Sequence, residues 1–190
     1  MRKIVALDLA RIGAAAWRDG ADIRTRRFVL AKDGASVEEK TEFLLAWLTA
    51  LFLEVKPDSV SVEDDTGRGS GSRTLRAYHA VAGIAAHRAG ASYRQDINAV
   101  RARKYGLGYG AGSKEENVAK ARVLFRLAPE LTDDEVDAVV LLVATENLDR
   151  ADELIAVAKR EQRMREAAAR RAAKKAERLA AKAAATVPTP

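Results

Sequence analysis

The stretch Lys3-Ile-Val-Ala-Leu-Asp8-Leu-Ala-Arg-Ile-Gly13 decides how this chain reads. Residues 3–10 have the apolar run of a buried strand, yet an aspartate stands within it. A carboxylate in that setting is costly unless a cation or several donors meet it. Asp8 therefore either satisfies local backbone groups or belongs to a charged site. Residues 13–18 return as a hairpin partner, and residues 22–30 make a third strand.

Downstream the pattern changes to alternating helices and strands. Ser36-Val-Glu-Glu39 is a capping box opening a helix to about Val55, with Phe43, Leu44, Trp47, Leu48 and Leu51 on its apolar face and Lys56-Pro57 as its stop. Residues 59–62 form a short buried strand that ends in Glu63-Asp64-Asp65. A glycine-rich basic loop, residues 66–72, precedes an Ala-rich helix over 73–90. A strand near 92–97, a short basic helix over 98–105 and a glycine turn over 106–112 follow. Ser113-Lys-Glu-Glu116 and Thr132-Asp-Asp-Glu135 cap two more helices, the second running to about Leu148. The fold class expected is α/β: a mixed five-stranded sheet with helices on both faces. Residues 1–150 make the core domain. Residues 151–190 make a basic Ala/Arg/Lys-rich helical tail ending in a disordered Pro-containing terminus.

Three further acids stand where packing alone does not want them. Glu63 comes directly off a buried strand, and Asp137 sits beside the run Ala138-Val-Val-Leu-Leu-Val. Asp134 shares its helical face three residues earlier, although Asp133, four residues before Asp137, competes for that role and could merely serve the helix dipole. One acid per element on two strand ends and a helix suggests convergence on a metal. The chain has no cysteine and two histidines, His79 and His87, which read as packing or surface residues. Any metal must then be held mainly by carboxylates, which favours Mg2+ with Mn2+ as a substitute. Two such ions, roughly 3.5–4 Å apart, can activate water and neutralise a phosphodiester without a protein nucleophile.

Charge placement points to the substrate. Residues 66–114 hold nine Arg/Lys against one acid, and residues 151–190 hold ten against five. Residues 1–65 hold ten against twelve. Basic blocks beside an acidic one fit a polyanion held next to a carboxylate site. No stretch approaches the ~20 apolar residues of a membrane span, and the N-terminus is no signal peptide, so a soluble, cytoplasmic protein is expected.

These motifs resemble, in order and spacing over residues 3–148, those of RuvC-type Holliday junction resolvases of the ribonuclease H-like superfamily. Leu7-Asp8-Leu-Ala-Arg-Ile-Gly13 is similar to their first strand and hairpin, Ser61-Val-Glu63 to their second site, and Asp134-Glu-Val-Asp137-Ala138 to their Asp-x-x-Asp-Ala. The resemblance implies a Mg2+-dependent endonuclease that nicks four-way DNA junctions, with Asp8, Glu63, Asp134 and Asp137 as catalytic metal ligands. It gives Arg103 and Lys114 the places of DNA-contacting residues. Arg68, Arg73, Arg76 and Lys104 join them from the basic block. It also implies a homodimer with the Ala-rich helix at or near the interface, where a charge at Ala82 or Ala86 would be disruptive. The aromatic that the family often carries after the glutamate is replaced by Asp64-Asp65-Thr66, and the basic tail is an addition, as in divergent or phage-type members.

Other readings fit less well. Lys114 follows serine rather than glycine, so the glycine turn is no P-loop, and its GxG follows a basic helix rather than a strand; no nucleotide cofactor is expected. An actin-like ATPase needs two lobes, more than 190 residues supply. A flap, branched-DNA or RNA–DNA hybrid nuclease on the same scaffold, or a catalytically inactive DNA-binding protein, remain as alternatives. Tyr78, Tyr93, Tyr105 and Tyr109 are candidates to stack on bases, Tyr78 and Tyr93 equally for the core.

Overall fold

A computed structural model of the chain describes residues 2–64 except 31 and 33, and residues 73–184 except 110, with side chains left aside at 168, 169 and 172–184. Arg68 of the basic loop and the Pro-containing terminus, 185–190, lie outside the described residues. The elements run β1 (Ile4–Asp8), β2 (Ile12–Asp19), β3 (Asp22–Val29), α1 (Val37–Val55), β4 (Ser59–Glu63), α2 (Arg73–Arg88), β5 (Ser92–Ile97), α3 (Ala99–Leu107), α4 (Lys114–Phe125) and α5 (Asp133–Ala184). The strands form one mixed sheet of order β3-β2-β1-β4-β5. β1 pairs antiparallel with β2 and parallel with β4, which puts it at the centre.

Strand periodicity divides the core into two layers. Val5, Leu7, Val60 and Val62 face α1 and α2, where Leu44, Leu48, Leu51, Tyr78, Ala82 and Ala86 complete one cluster. Ile4 and Ala6 face the other way, toward α3, α4 and the first part of α5. Both capping boxes at Ser36 and Ser113 form as expected. Thr132 and Glu135 also bond reciprocally at the start of α5. The Ala-rich helix α2 turns its alanines inward: Ala82 and Ala86 are fully buried within the chain's own core. A charge at either position would disrupt the fold itself, so the expectation that they mark a subunit interface is corrected. Alanine is there because α2 packs closely on α1 and the sheet.

Helix α5 continues to Ala184, whereas the sequence pointed to a core helix ending near 148 and a separate tail helix. Residues 149–184 contain no glycine or proline to stop a helix, and their Ala, Arg, Lys and Glu all propagate one. By internal contacts the chain divides into Met1–Leu148 and Asp149–Pro190. Within the second unit every described side chain from Asp152 onward is exposed, including Leu154, Ile155, Val157 and Met164.

Gly13 shows how closely β1 and the hairpin approach. A Cβ there would stand against the Asp8 carbonyl oxygen and 2.5 Å from the Phe28 ring. We expect Gly13→Ala to cost about 1–3 kcal/mol in urea unfolding through overpacking; unchanged stability would contradict the packing described.

Candidate metal centre

Asp8 and Glu63 are the last residues of adjacent parallel strands. The register pairs Leu7 with Val62, so one step further brings Asp8 level with Glu63. Neighbouring strands lie about 4.8 Å apart. Both acids share parity with residues that face α5: Ala6 before Asp8, and Ser61 before Glu63. The irregularity between Ser61 and Glu63 lies on the β5 side of β4.

The third contribution comes from α5, which several bonds fix to the sheet. Thr145 Oγ1, fully buried, donates to Ser61 Oγ at 3.0 Å and to the Leu141 carbonyl at 2.8 Å. Arg18 of β2 donates to both Glu146 carboxylate oxygens at 2.7 and 3.0 Å. Asn147 donates to the Tyr105 carbonyl at 2.7 Å, tying α5 to α3. At Gly106 a Cβ would meet the Val140 carbonyl oxygen at 2.6 Å, so only glycine lets α3 lie this close to α5. Helical spacing then puts Asp134, Asp137, Leu141 and Thr145 on one face, with the two acids toward the helix start.

The electrostatics report the convergence. Burial pushes Asp8 up to about 7, and the charges of Asp137, Glu63 and Asp134 push in the same direction. Asp137 is raised as well, by burial first, against the pull of Lys114. Lys114, at the start of α4, places Nζ 3.2 Å from Asp137 Oδ2. Desolvation works to lower the Lys114 ammonium, but Asp137, Asp134 and Asp8 together raise it. Lys114 is thus a built-in counter-charge to the acidic cluster.

Asp133 and Asp134 separate in this geometry. Asp133 lies 3.7 Å from Arg122 and is well exposed; the charges of both reach Asp137, and that of Asp134 also reaches Asp8 and Lys114. Among the DNA-contact candidates, Arg73 and Arg76 lie exposed at the start of α2. Arg103 donates Nε to the Ala99 carbonyl of its own helix, and Lys104 lies over the Tyr105 ring. Tyr109 carries Lys120 at 3.7 Å above its ring, so Tyr105 and Tyr109 hold cations. Tyr78 is core, and Tyr93 packs against it.

One residue read as packing lies at the site. His79 of α2, 8% exposed, lines a cavity of about 180 Å3 together with Asp8, Leu9, Glu63 and Leu75. Its neighbours in sequence gave no sign of this, because a lone histidine on an Ala-rich helix carries no spacing motif. His87 is exposed.

Whether these side chains suit a divalent cation is a matter of donor chemistry. Among the described residues no three His, Asp or Glu side chains stand close enough to be a formed metal shell. Yet no hydrogen-bond donor among the described residues meets the Asp8 carboxylate, which is desolvated and repelled by three acids. Oxygen donors from three rigid elements fit a hard cation such as Mg2+ or Mn2+, whose charge would relieve that repulsion.

A mixed sheet of this order, with acids at the ends of two adjacent central strands and on a helix packed over them, is ribonuclease H-like. Among solved structures the fold is that of the RuvC-type Holliday junction resolvases. Thermus thermophilus RuvC is similar at a TM-score of 0.63 and 15% identity, over 79% of this chain and 96% of that one. The T. thermophilus RuvC in complex with Holliday junction substrate gives 0.64 and 16%, over 80% and 97%. The yeast mitochondrial Holliday junction resolvase Ydc2 gives 0.52 and 9%, over 78% and 81%. At these identities the likeness is one of fold. No family model and no curated protein sequence matches the chain.

An acid whose folded-state value is raised binds more protons folded than unfolded, so it costs stability as pH rises from about 4 through about 7. Asp8→Asn should therefore raise the melting temperature at pH 8, with a ceiling of about 4 kcal/mol. The gain should shrink as pH falls toward 4. An equal effect at pH 8 and pH 4 would contradict the field described around Asp8.

Proposed function

We propose that the chain is a structure-selective endodeoxyribonuclease that nicks four-way (Holliday) DNA junctions by Mg2+-assisted phosphodiester hydrolysis, with Mn2+ able to substitute. The observation that carries this reading is the Asp8 carboxylate, ending the central strand under the combined charge of Asp137, Glu63 and Asp134. Acids gathered at a DNA surface repel phosphate unless a cation intervenes, which argues against a purely architectural role. The fold likeness to a RuvC whose structure holds Holliday junction substrate supports a four-way junction as the DNA.

In this reading Asp8, Glu63, Asp134 and Asp137 hold the cation. Bound there, a divalent cation supplies the charge that activates water and steadies the leaving oxygen. Lys114 balances Asp137 until then and afterwards faces the scissile phosphate. Arg103, Lys104, Arg73 and Arg76, with Arg68 in the preceding loop, contact neighbouring phosphates, and the exposed basic tail adds affinity independent of DNA shape. Paired nicking of a symmetric junction calls for two sites about a two-fold axis, hence a homodimer. With Ala82 and Ala86 buried, the surface of α2 that remains for such a contact carries Ala80 and Ile84, the latter 47% exposed.

The direct experiment compares Mg2+-dependent cleavage of four-way junction, flap, duplex and RNA–DNA hybrid. The junction should be cut fastest. Asp8→Asn, Glu63→Gln and Asp137→Asn should each lower the single-turnover rate by roughly 100-fold or more while leaving or tightening junction binding. Asp133→Asn should leave most activity, and Asp134→Asn should not. Preference for flap or hybrid would reassign the substrate, and full activity in Asp8→Asn would overturn the site.

A further inference from the structure

The first turn of α5, which bears the acids, is also held to the sheet from its other side. Thr132 and Glu135 cap the helix reciprocally, with the Thr132 amide and hydroxyl both donating to Glu135 Oε2 at 3.0 Å. A cap of this kind occupies one carboxylate oxygen. The other, Oε1, accepts from the hydroxyl of Thr25, 110 residues away on β3, at 2.8 Å. The glutamates of the other two capping boxes make no such reach. Among the described residues, the Glu39 and Glu116 carboxylates bond only at their own caps. Helix capping therefore does not account for Thr25.

Register shows what this bond is anchored to. Thr25 pairs with Ala16 of β2, and Ala16 pairs with Ala6 of β1, two residues before Asp8. Ala6, Ala16 and Ile23 of β3 belong to the core layer under α5. The Thr25 hydroxyl thus stands on the sheet face that α5 covers, and both bonded side chains are half-buried. The bonds of Thr145, Glu146 and Asn147 fasten α5 about ten residues further on, roughly 15 Å along the helix. Left to those alone, Asp134 and Asp137 would stand on a helix end, where fraying is easiest. There they repel each other and Asp8.

Helix geometry turns the anchor into an aiming device. Glu135 and Asp137 are two residues apart, roughly 200° around a helix of 3.6 residues per turn. β3 is the edge strand, and β1 and β4 lie beyond β2. Drawing Glu135 toward β3 therefore turns the face of Asp134 and Asp137 toward the strands that end in Asp8 and Glu63.

We propose that Glu135 is a positioning residue for the carboxylate centre: its bond to Thr25 fixes the rotation of the first turn of α5, and with it the approach of Asp134 and Asp137 to Asp8. This rests on the reading that these carboxylates bind a divalent cation. Glu135 itself touches no reacting atom and acts through the two aspartates.

Thr25→Val tests this without altering any charge, since valine keeps the shape and loses the hydroxyl. With Mn2+ as the probe, calorimetry of the full-length protein should show affinity falling by about tenfold in Thr25→Val, as when other contacts behind metal ligands are lost. Thr25→Ser, which keeps the donor, should restore it. In single-turnover cleavage of a four-way junction, the Thr25→Val rate should fall at fixed Mg2+ and recover as Mg2+ is raised, with junction affinity unchanged. In a Glu135→Ala background Thr25→Val should cost little more, because the bond is already gone. Unchanged Mn2+ affinity in Thr25→Val, with only the urea midpoint lowered, would reveal a plain structural tie and overturn the proposal. Equal losses from Thr25→Val with and without Glu135 would overturn it as well, leaving the carboxylate site standing. Mn2+ affinity that is untouched by Asp8→Asn, or absent in the unaltered protein at millimolar concentration, would overturn the metal reading and this proposal together.

Discussion

A half-buried carboxylate that no hydrogen-bond donor among the described residues meets is the constraint around which this structure is organised. Asp8 ends the central strand, desolvated, beside Glu63 and under the charges of Asp137 and Asp134. A protein under pressure for stability alone would place an apolar residue there, because each unit of raised acid pKa costs about 1.4 kcal/mol at neutral pH. The surrounding fold instead keeps the acids together. Arg18 clamps Glu146, Thr145 meets Ser61, and Gly106 lets α3 close on α5. These contacts hold α5 in a register that brings Asp137 and Asp134 over the strand ends. Lys114 offsets part of the repulsion from a separate helix. Stability is given up locally and recovered in two well-filled core layers.

Much of this was legible in the residues. Strand and helix periods gave the five strands and the helices, and the three capping boxes located helix starts to within a residue. Asp8 and Asp137 were conspicuous because each interrupts an apolar run, and interruption is a local signal. Two other features were hidden for the same physical reason. Whether an alanine stripe faces a neighbouring subunit or the chain's own sheet depends on tertiary packing, and in α2 Ala82 and Ala86 face inward. His79 likewise reaches the site through the crossing of α2 and the sheet, which no spacing encodes. The choice between Asp133 and Asp134 could not be made from helical spacing, since both lie on the Asp137 face; in the structure both charges reach Asp137, and Asp133 also stands beside Arg122. The long reach of α5 followed from an absence, namely of any glycine or proline from 149 to 184, which a compositional boundary at the tail obscured.

Charge also orders the surface. Lys114, Lys104 and Arg103 lie at the starts and on the turns of short helices, and the tail carries its basic residues on exposed helix. The first group sits in the segment joining β5 to α5, where geometry can be held; the second offers affinity with little shape. Under the proposed nuclease function, the first group would serve selection of a DNA form and the second would add affinity. Along α5 the same change shows in burial: residues 138–145 are buried, and the described side chains from Asp152 onward are exposed.

The central claim is that Asp8 is held protonatable near neutrality by burial, with neighbouring acids adding to it, and released by a divalent cation. Carboxyl-detected NMR of the aspartates, titrated with and without Mg2+, tests it most directly. Asp8 should titrate near 7 in the metal-free protein, and with saturating Mg2+ its midpoint should fall by about 2 units or more as an opposite charge comes within reach. A midpoint near 4 without metal, or one near 7 that Mg2+ does not move, would contradict the account.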